Sequence, residues 1–136
     1  MIAIGQYNTL TVLRDTKVGL FLGEGAEDVG ILLPNKYVPN DIKVGDSLAV
    51  FVYLDHEERP VATTLEPYIL LNEFALLRVN YVNQVGAFLD WGLEKDLFVP
   101  FAAQARPMEK GKRYLVYMFM DPKSNRLVAS SKTNQF

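Results

Sequence analysis

The chain repeats itself, and that repeat limits its architecture more than any other feature. Val18-Gly19-Leu20-Phe21-Leu22 returns as Val85-Gly86-Ala87-Phe88-Leu89, and Leu33-Pro34 returns as Val99-Pro100. Val44-Gly45-Asp46 is answered by Lys110-Gly111-Lys112, and Tyr53-Leu54-Asp55 by Phe119-Met120-Asp121. Arg59-Pro60-Val61-Ala62-Thr63-Thr64 is answered by Arg126-Leu127-Val128-Ala129-Ser130-Ser131. The offset slips by one residue in two places, around Gly23, Gly25 and Gly30 and again between Asp55 and Arg59. Both slips fall in turn-like sequence, where insertions are tolerated. Two units in 136 residues are too few and too long for a solenoid. They predict two copies of one small domain, residues 1–66 and 67–136. Each copy alone is near the lower size limit for a self-sufficient core. The connector around Leu65, Tyr68, Ile69, Leu70 and Leu71 is apolar, unlike a free Gly/Ser linker, so docked units are expected.

Each copy offers five short strands, dense in β-branched and aromatic residues and separated by Gly, Pro, Asn and Asp. In the first they are Thr9–Arg14, Gly19–Leu22, Gly30–Leu33, Ser47–Leu54 and Val61–Thr64. In the second they are Leu76–Val82, Gly86–Leu89, Leu97–Val99, Arg113–Met120 and Leu127–Ser130. Leu48, Val50, Val52 and Leu54 alternate with Ser47, Ala49, Phe51 and Tyr53, the period of a strand with one buried face. The best helical candidate, Phe101–Arg106 after Pro100, makes about two turns at most. Five strands with a longer insert between the third and fourth predict an all-β chain of two tandem OB-fold barrels, since closure removes sheet edges. An SH3-like barrel is the structural alternative.

Composition excludes several chemistries. The chain has no cysteine and one histidine, His56, which argues against disulfides, thiolate nucleophiles and zinc sites. Asp55-His56-Glu57-Glu58 gathers acids around that histidine, but in a turn that supplies no burial to tune them and has no counterpart in the second copy. Gly23-Glu24-Gly25 lacks the third glycine and helix of a dinucleotide loop. A binding protein is expected, with no catalytic residue, no metal and no cofactor. No apolar run approaches a membrane span and the first residues do not resemble a secretory signal, so a cytoplasmic location without membrane contact is expected. The formal net charge of −2 hides an asymmetry: residues 1–66 sum to −5 and residues 67–136 to +3. If one half meets phosphates, it is the second.

Val82-Asn83-Gln84-Val85-Gly86-Ala87-Phe88-Leu89-Asp90-Trp91-Gly92 resembles the signature of the ribosomal-protein S-one-type RNA-binding domain. Asp121 and Arg126 match its acidic-then-basic pair around the turn between strands four and five. Gly19, Phe21, Asp55 and Arg59 repeat the pattern more weakly. The whole chain is similar to the amino-terminal part of the conserved virulence factor B family. The similarity rests on Tyr7-Asn8-Thr9-Leu10, Leu33-Pro34-Asn35-Lys36-Tyr37-Val38-Pro39, Val52-Tyr53-Leu54-Asp55 and Ala62-Thr63-Thr64. In the second copy it rests on Gly86-Ala87-Phe88-Leu89-Asp90-Trp91-Gly92-Leu93, Lys95-Asp96-Leu97 and Val99-Pro100-Phe101. The resemblance implies a bacterial cytoplasmic RNA-binding protein affecting gene expression, built from such modules plus a winged-helix module, with further domains outside this sequence. Two usual contacts differ. An aromatic three positions before the Phe is here Val85 or Val18, and a strand-three His corresponds to Val99 or Leu33.

Single-stranded RNA is held by aromatic faces for bases and cations for phosphates. If Ala87 and Leu89 point inward, period two turns Phe88 outward, and Phe21 between Leu20 and Leu22 follows the same rule. The alternative is a core position at a barrel corner. Lys123 and Arg126 are candidates for phosphate contact, and Asp121 for orienting Arg126 or accepting a hydrogen bond from a base. The alternative is a turn with a surface ion pair, worth little. That reading is preferred for Asp55 with Arg59, where Glu57 and Glu58 repel phosphate. Trp91 either extends the platform or plugs the core. The candidate nucleic-acid contacts are therefore Phe88, Trp91, Asp121, Lys123 and Arg126, with Phe21 and Arg59 in the first copy. Phe51, Tyr53, Tyr117 and Phe119 read as core filling or docking. Lys110, Lys112 and Arg113 read as a solvated turn that could lengthen a phosphate track. Single-stranded RNA is the expected partner. The alternative is a protein-interaction or spacer unit with a protein partner or a homodimer.

Overall fold

The computed structural model describes residues 1–135. The chain is all-β apart from single 3-10 turns and divides into two compact units, Met1–Glu66 and Pro67–Phe136. In the first unit β1 (Gln6–Asp15), β2 (Gly19–Gly23), β3 (Ile31–Pro34), β4 (Ser47–Leu54) and β5 (Pro60–Thr63) close into a barrel in the order β1-β2-β3-β5-β4. The second unit closes β6 (Phe74–Val82), β7 (Gly86–Asp90), β8 (Leu97–Pro100), β9 (Arg113–Met120) and β10 (Leu127–Ser130) in the same cyclic order. Every neighbouring pair is antiparallel except β3 with β5 and β8 with β10, which are parallel. This is the closed five-stranded OB architecture.

Alternation builds both cores. Leu10, Val12, Leu20, Leu22, Leu33, Val50, Val52 and Ala62 form one buried cluster in the first unit. Leu77, Val79, Ala87, Leu89, Val99, Val116, Met118 and Ala129 are buried at the matching positions of the second. Phe51 and Tyr53 are also buried, but they alternate with Val50 and Val52 and lie outside that core cluster.

Gly19 and Gly86 occupy one structural position, the start of the second strand of each unit. Both have φ in the left-handed half of the map, +149° and +156°. A Cβ at Gly86 would strike the carbonyl oxygen of Val99 and lie 2.8 Å from the Phe98 ring. At Gly19 it would strike the carbonyl oxygen of Leu33. Close packing of the second strand on the third therefore requires glycine at both places.

The first strand of each unit carries a β-bulge at the same point, between Val12 and Arg14 in β1 and between Val79 and Tyr81 in β6. The extra residue reverses the facing of the residues after it. Arg14 and Tyr81 thus turn away from the core that Val12 and Val79 enter.

Two local outcomes differ from the sequence reading. β1 and β6 begin two or three residues earlier than expected, because the ladder with the fourth strand runs from Gln6 opposite Val52 and from Phe74 opposite Tyr117. The helix expected over Phe101–Arg106 is a single 3-10 turn, Phe101–Ala103. Gln104 is already extended, and its buried amide donates to the Val99 carbonyl at 3.1 Å and accepts from the Met108 N–H at 3.0 Å. Those bonds hold the loop and end the helix. The apolar connector is tied to the second unit through its backbone: the Tyr68 N–H donates to the Trp91 carbonyl and the Asn72 N–H to the Met118 carbonyl.

Candidate nucleic-acid interface

Phe88 points outward. It is half-buried between Ala87 and Leu89, both fully buried, as alternation predicts. It does not stand alone. Its cross-strand neighbour on β6 is Tyr81, and the two rings stack with centroids 4.5 Å apart and planes 7° from parallel. Its neighbour on β8 is Phe98, whose ring lies 5.1 Å away at 33°. Three adjacent strands thus present three rings on one outer face, and Tyr81 at the open end is 44% exposed.

Neither Tyr81 nor Phe98 was foreseen as a site residue. Simple alternation from Leu77 and Val79 sends Tyr81 into the core; the bulge at Asn80 sends it out. Phe98 carried a readable signal, since Leu97 and Val99 flank it as buried neighbours. The positions aligned with the strand-three histidine, Val99 and Leu33, are buried and cannot touch a ligand. The outward positions beside them are Phe98 and Leu32, paired with Phe88 and Phe21.

Phe21 occupies the same place in the first unit, also half-buried between buried neighbours. Its surroundings differ. Arg14 stands where the second unit has Tyr81, with its guanidinium carbon 5.1 Å from the Phe21 ring centroid. The same guanidinium donates to the Val29 carbonyl. Leu32 stands where the second unit has Phe98. The ring is covered by a cation rather than extended into a row.

Trp91 is 2% exposed, and its indole N–H donates to the Lys95 carbonyl. It plugs the end of β7 and offers no face for stacking, unlike the contact residue expected from the sequence.

The two acidic-then-basic turns also diverge. The Asp55 carboxylate accepts from the Arg59 backbone N–H at 3.0 Å, the Glu57 N–H at 2.8 Å and the Arg59 Nε at 3.1 Å. Arg59 also pairs with Glu57 at 2.7 Å. Slight burial pushes the Asp55 carboxyl upward, but these bonds and the Arg59 charge outweigh it and hold the pKa below the usual value. Arg59 is thus engaged by two carboxylates. In the second unit Asp121 accepts instead from the Ser124 hydroxyl at 2.6 Å, which lowers its pKa first among the causes, and from the Lys123 N–H at 3.4 Å. The turn closes through the Asp121 N–H, which donates to the Arg126 carbonyl at 2.8 Å. The side chains of Lys123 and Arg126 are exposed. Of the basic cluster, Lys112 pairs with Glu109 at 2.9 Å, while Lys110 and Arg113 are exposed.

Among the described residues no group of three or more His, Cys, Asp or Glu side chains is placed to hold a metal ion. Among the same residues no helix is long and apolar enough to cross a membrane.

Comparison with known proteins agrees with this architecture. Residues 4–65 match the S1 domain family. The match falls on the first unit, although the signature strand reads more fully in the second. The chain is 41% identical over 96 residues to the uncharacterized protein YitL of Bacillus subtilis, covering 70% of this chain and 32% of that protein. It superposes on a multidomain protein with nucleic acid binding domains from Streptococcus pneumoniae with a TM-score of 0.76 and 21% identity. That superposition covers 93% of this chain and 45% of the other, and at such identity it speaks for the fold. The chain therefore spans about a third of the curated relative and less than half of the solved structure. Its first unit matches the S1 domain, and its second unit repeats the same closed five-stranded barrel.

Proposed function

We infer that the chain is a pair of S1-type modules, 1–66 and 67–136, that binds single-stranded RNA mainly through the second. The observation that carries this is the outward row Tyr81–Phe88–Phe98. Stacked rings on a barrel surface suit unpaired bases, which offer a π-face whatever their sequence. The excess of basic residues in the second half supplies the phosphate attraction, and Lys123 and Arg126 sit on the turn of that unit. The S1 match and the nucleic acid binding domains of the structural neighbour support nucleic acid as the ligand class. The sequence resemblance supports a place in the conserved virulence factor B family, a role in bacterial gene expression in the cytoplasm, and further domains in the whole protein.

The test is fluorescence anisotropy with labelled oligouridine of about 8 to 16 nucleotides, at two salt concentrations. The expected result is saturable binding that weakens as salt rises and falls roughly 5- to 150-fold in a Phe88→Ala, Arg126→Ala double variant. Absence of binding at low salt contradicts the reading.

A second reading has its own observation. Phe74, Leu76 and Leu115 are 46%, 61% and 50% exposed on the outer face of β6 and β9. Exposed apolar faces mark protein contacts. In this reading the pair is an interaction or spacer unit with a protein partner or a second copy. Self-association that disappears in a Leu76→Asp, Leu115→Asp variant, with no RNA binding, would favour it.

A further inference from the structure

A recess of about 260 Å³ opens in the second unit. Phe119 and Val128 line it on the strands, Pro100 and Ala103 on the loop side, and two charged residues, Asp121 and Lys132, also line it. Strand register joins it to the ring row. Phe98, which contacts Phe88, is the partner of Val128 on β10, and Val128 is the partner of Phe119 on β9. Pro100 lies two residues beyond Phe98 on β8 and so shares its face. Ser130 holds the loop in place, its hydroxyl donating to the Ala103 carbonyl at 2.9 Å.

The first unit carries different residues at the matching positions. Tyr37 ends its 3-10 turn where Ala103 ends the other. Leu65 stands two residues past β5 where Lys132 stands two past β10. The first unit thus has a large ring, with Lys36 Nζ 5.4 Å from its centroid, where the second has a small side chain, and a leucine where the second has Lys132.

The recess combines apolar walls with a carboxylate. A carboxylate only accepts, with about four lone-pair sites. Asp121 fills one with the Ser124 hydroxyl, also faces the Ser124 N–H, and meets the Lys123 N–H at a long 3.4 Å, so part of its acceptor capacity remains. The base edge that suits such a group carries adjacent donors. Guanine presents N1–H and its 2-amino group side by side. Uracil presents one N–H flanked by two carbonyl oxygens, which a carboxylate repels. Lys132 supplies a cation for a flanking phosphate.

We propose that this recess is a base-specific subsite of the second unit that selects guanine within single-stranded RNA, using Asp121 as the acceptor. The proposal rests on the RNA-binding reading above and adds sequence preference to it. The test compares anisotropy titrations of the full chain with three labelled oligonucleotides: oligouridine, the same strand with one central guanosine, and the same strand with inosine there. Inosine keeps N1–H and lacks the 2-amino group. The expected order is guanosine, then inosine, then uridine, with guanosine roughly 5- to 150-fold tighter than uridine, the discrimination one bidentate base contact carries. The ratio falls to within about twofold of unity in Asp121→Asn and in Ala103→Leu, which fills the recess. Equal affinity for all three strands overturns the subsite and leaves RNA binding standing. A guanosine preference that survives both variants also overturns it. No binding of any strand removes both readings together. The inosine comparison uses the unaltered protein, so it decides even if a variant fails to fold.

Discussion

β2 and β7 each set a phenylalanine between two buried neighbours at the same point of the same barrel, yet the two surfaces are unlike. Around Phe88 the adjacent strands supply Tyr81 and Phe98, and the three rings make a row. Around Phe21 they supply Arg14 and Leu32, and the guanidinium sits over the ring while bonding to Val29. The inward residues, the bulges and the glycines agree between the units because closure of the barrel demands them. The outward residues are released from that demand. Two outward positions therefore separate a surface that can stack bases from one whose ring is already covered. The same holds at the turns, where Arg59 is held by Asp55 and Glu57 while Asp121 bonds to Ser124.

Substituting the two phenylalanines tests this contrast most strongly. Phe88→Ala is expected to cost about 1–3 kcal/mol of RNA binding, the worth of one lost stack. Phe21→Ala is expected to change affinity less than about twofold. Equal losses by anisotropy would break the contrast.

The two glycines sharpen it from the side of the fold. Gly86→Ala and Gly19→Ala each force a Cβ against a backbone carbonyl. Each is expected to lower stability by about 1–3 kcal/mol, because strained backbone of this kind costs that much per residue. Denaturant melts check it. A large loss in one unit and none in the other would mean that the barrels are not built alike.

Transplanting the surface is a gentler test. Arg14→Tyr with Leu32→Phe gives the first unit the row of the second. Placed in the Phe88→Ala background, the pair is expected to recover about fivefold of the lost affinity, near the lower end of a base stack. No recovery would show that charge, not the ring row, separates the units.

The smallest effect concerns the turn of the first unit. Asp55 has a folded pKa below the usual carboxylate value, so its contribution to stability is present above the unfolded pKa of ~3.9. It is lost as pH falls through the lower folded value. Asp55→Asn is therefore expected to lower stability slightly at pH 7, by well under about 1 kcal/mol for so exposed a pair, read as a small drop in melting temperature. The difference should vanish in strong acid. A deficit that persists there would assign the effect to the turn backbone rather than to charge.

Much of this was legible in the residues. The repeat announced two units, and the strict alternation of Leu48–Leu54 announced a strand with one buried face. The facing of Phe88 followed from Ala87 and Leu89. The illegible parts have physical causes. A bulge leaves no mark on composition, so counting residues puts Tyr81 on the wrong face. Gln104 ends the expected helix through bonds made by its own buried amide, which propensity does not register. Trp91 and Gly92 read equally as platform or plug, and only burial of the indole decides. The recess beside Phe119 is lined by Ala103 where the first unit has Tyr37, and that comparison has meaning only once the two loops are known to match in topology.

The central claim is that one face of the second barrel holds the RNA. A heteronuclear NMR titration of the full chain with oligouridine tests it most directly, because each unit reports separately in one sample. Shifts are expected to concentrate at Tyr81, Phe88, Phe98 and the Asp121–Arg126 turn, while Arg14, Phe21 and Leu32 stay in place. Shifts centred on β1–β3, or on Phe74, Leu76 and Leu115, would contradict it.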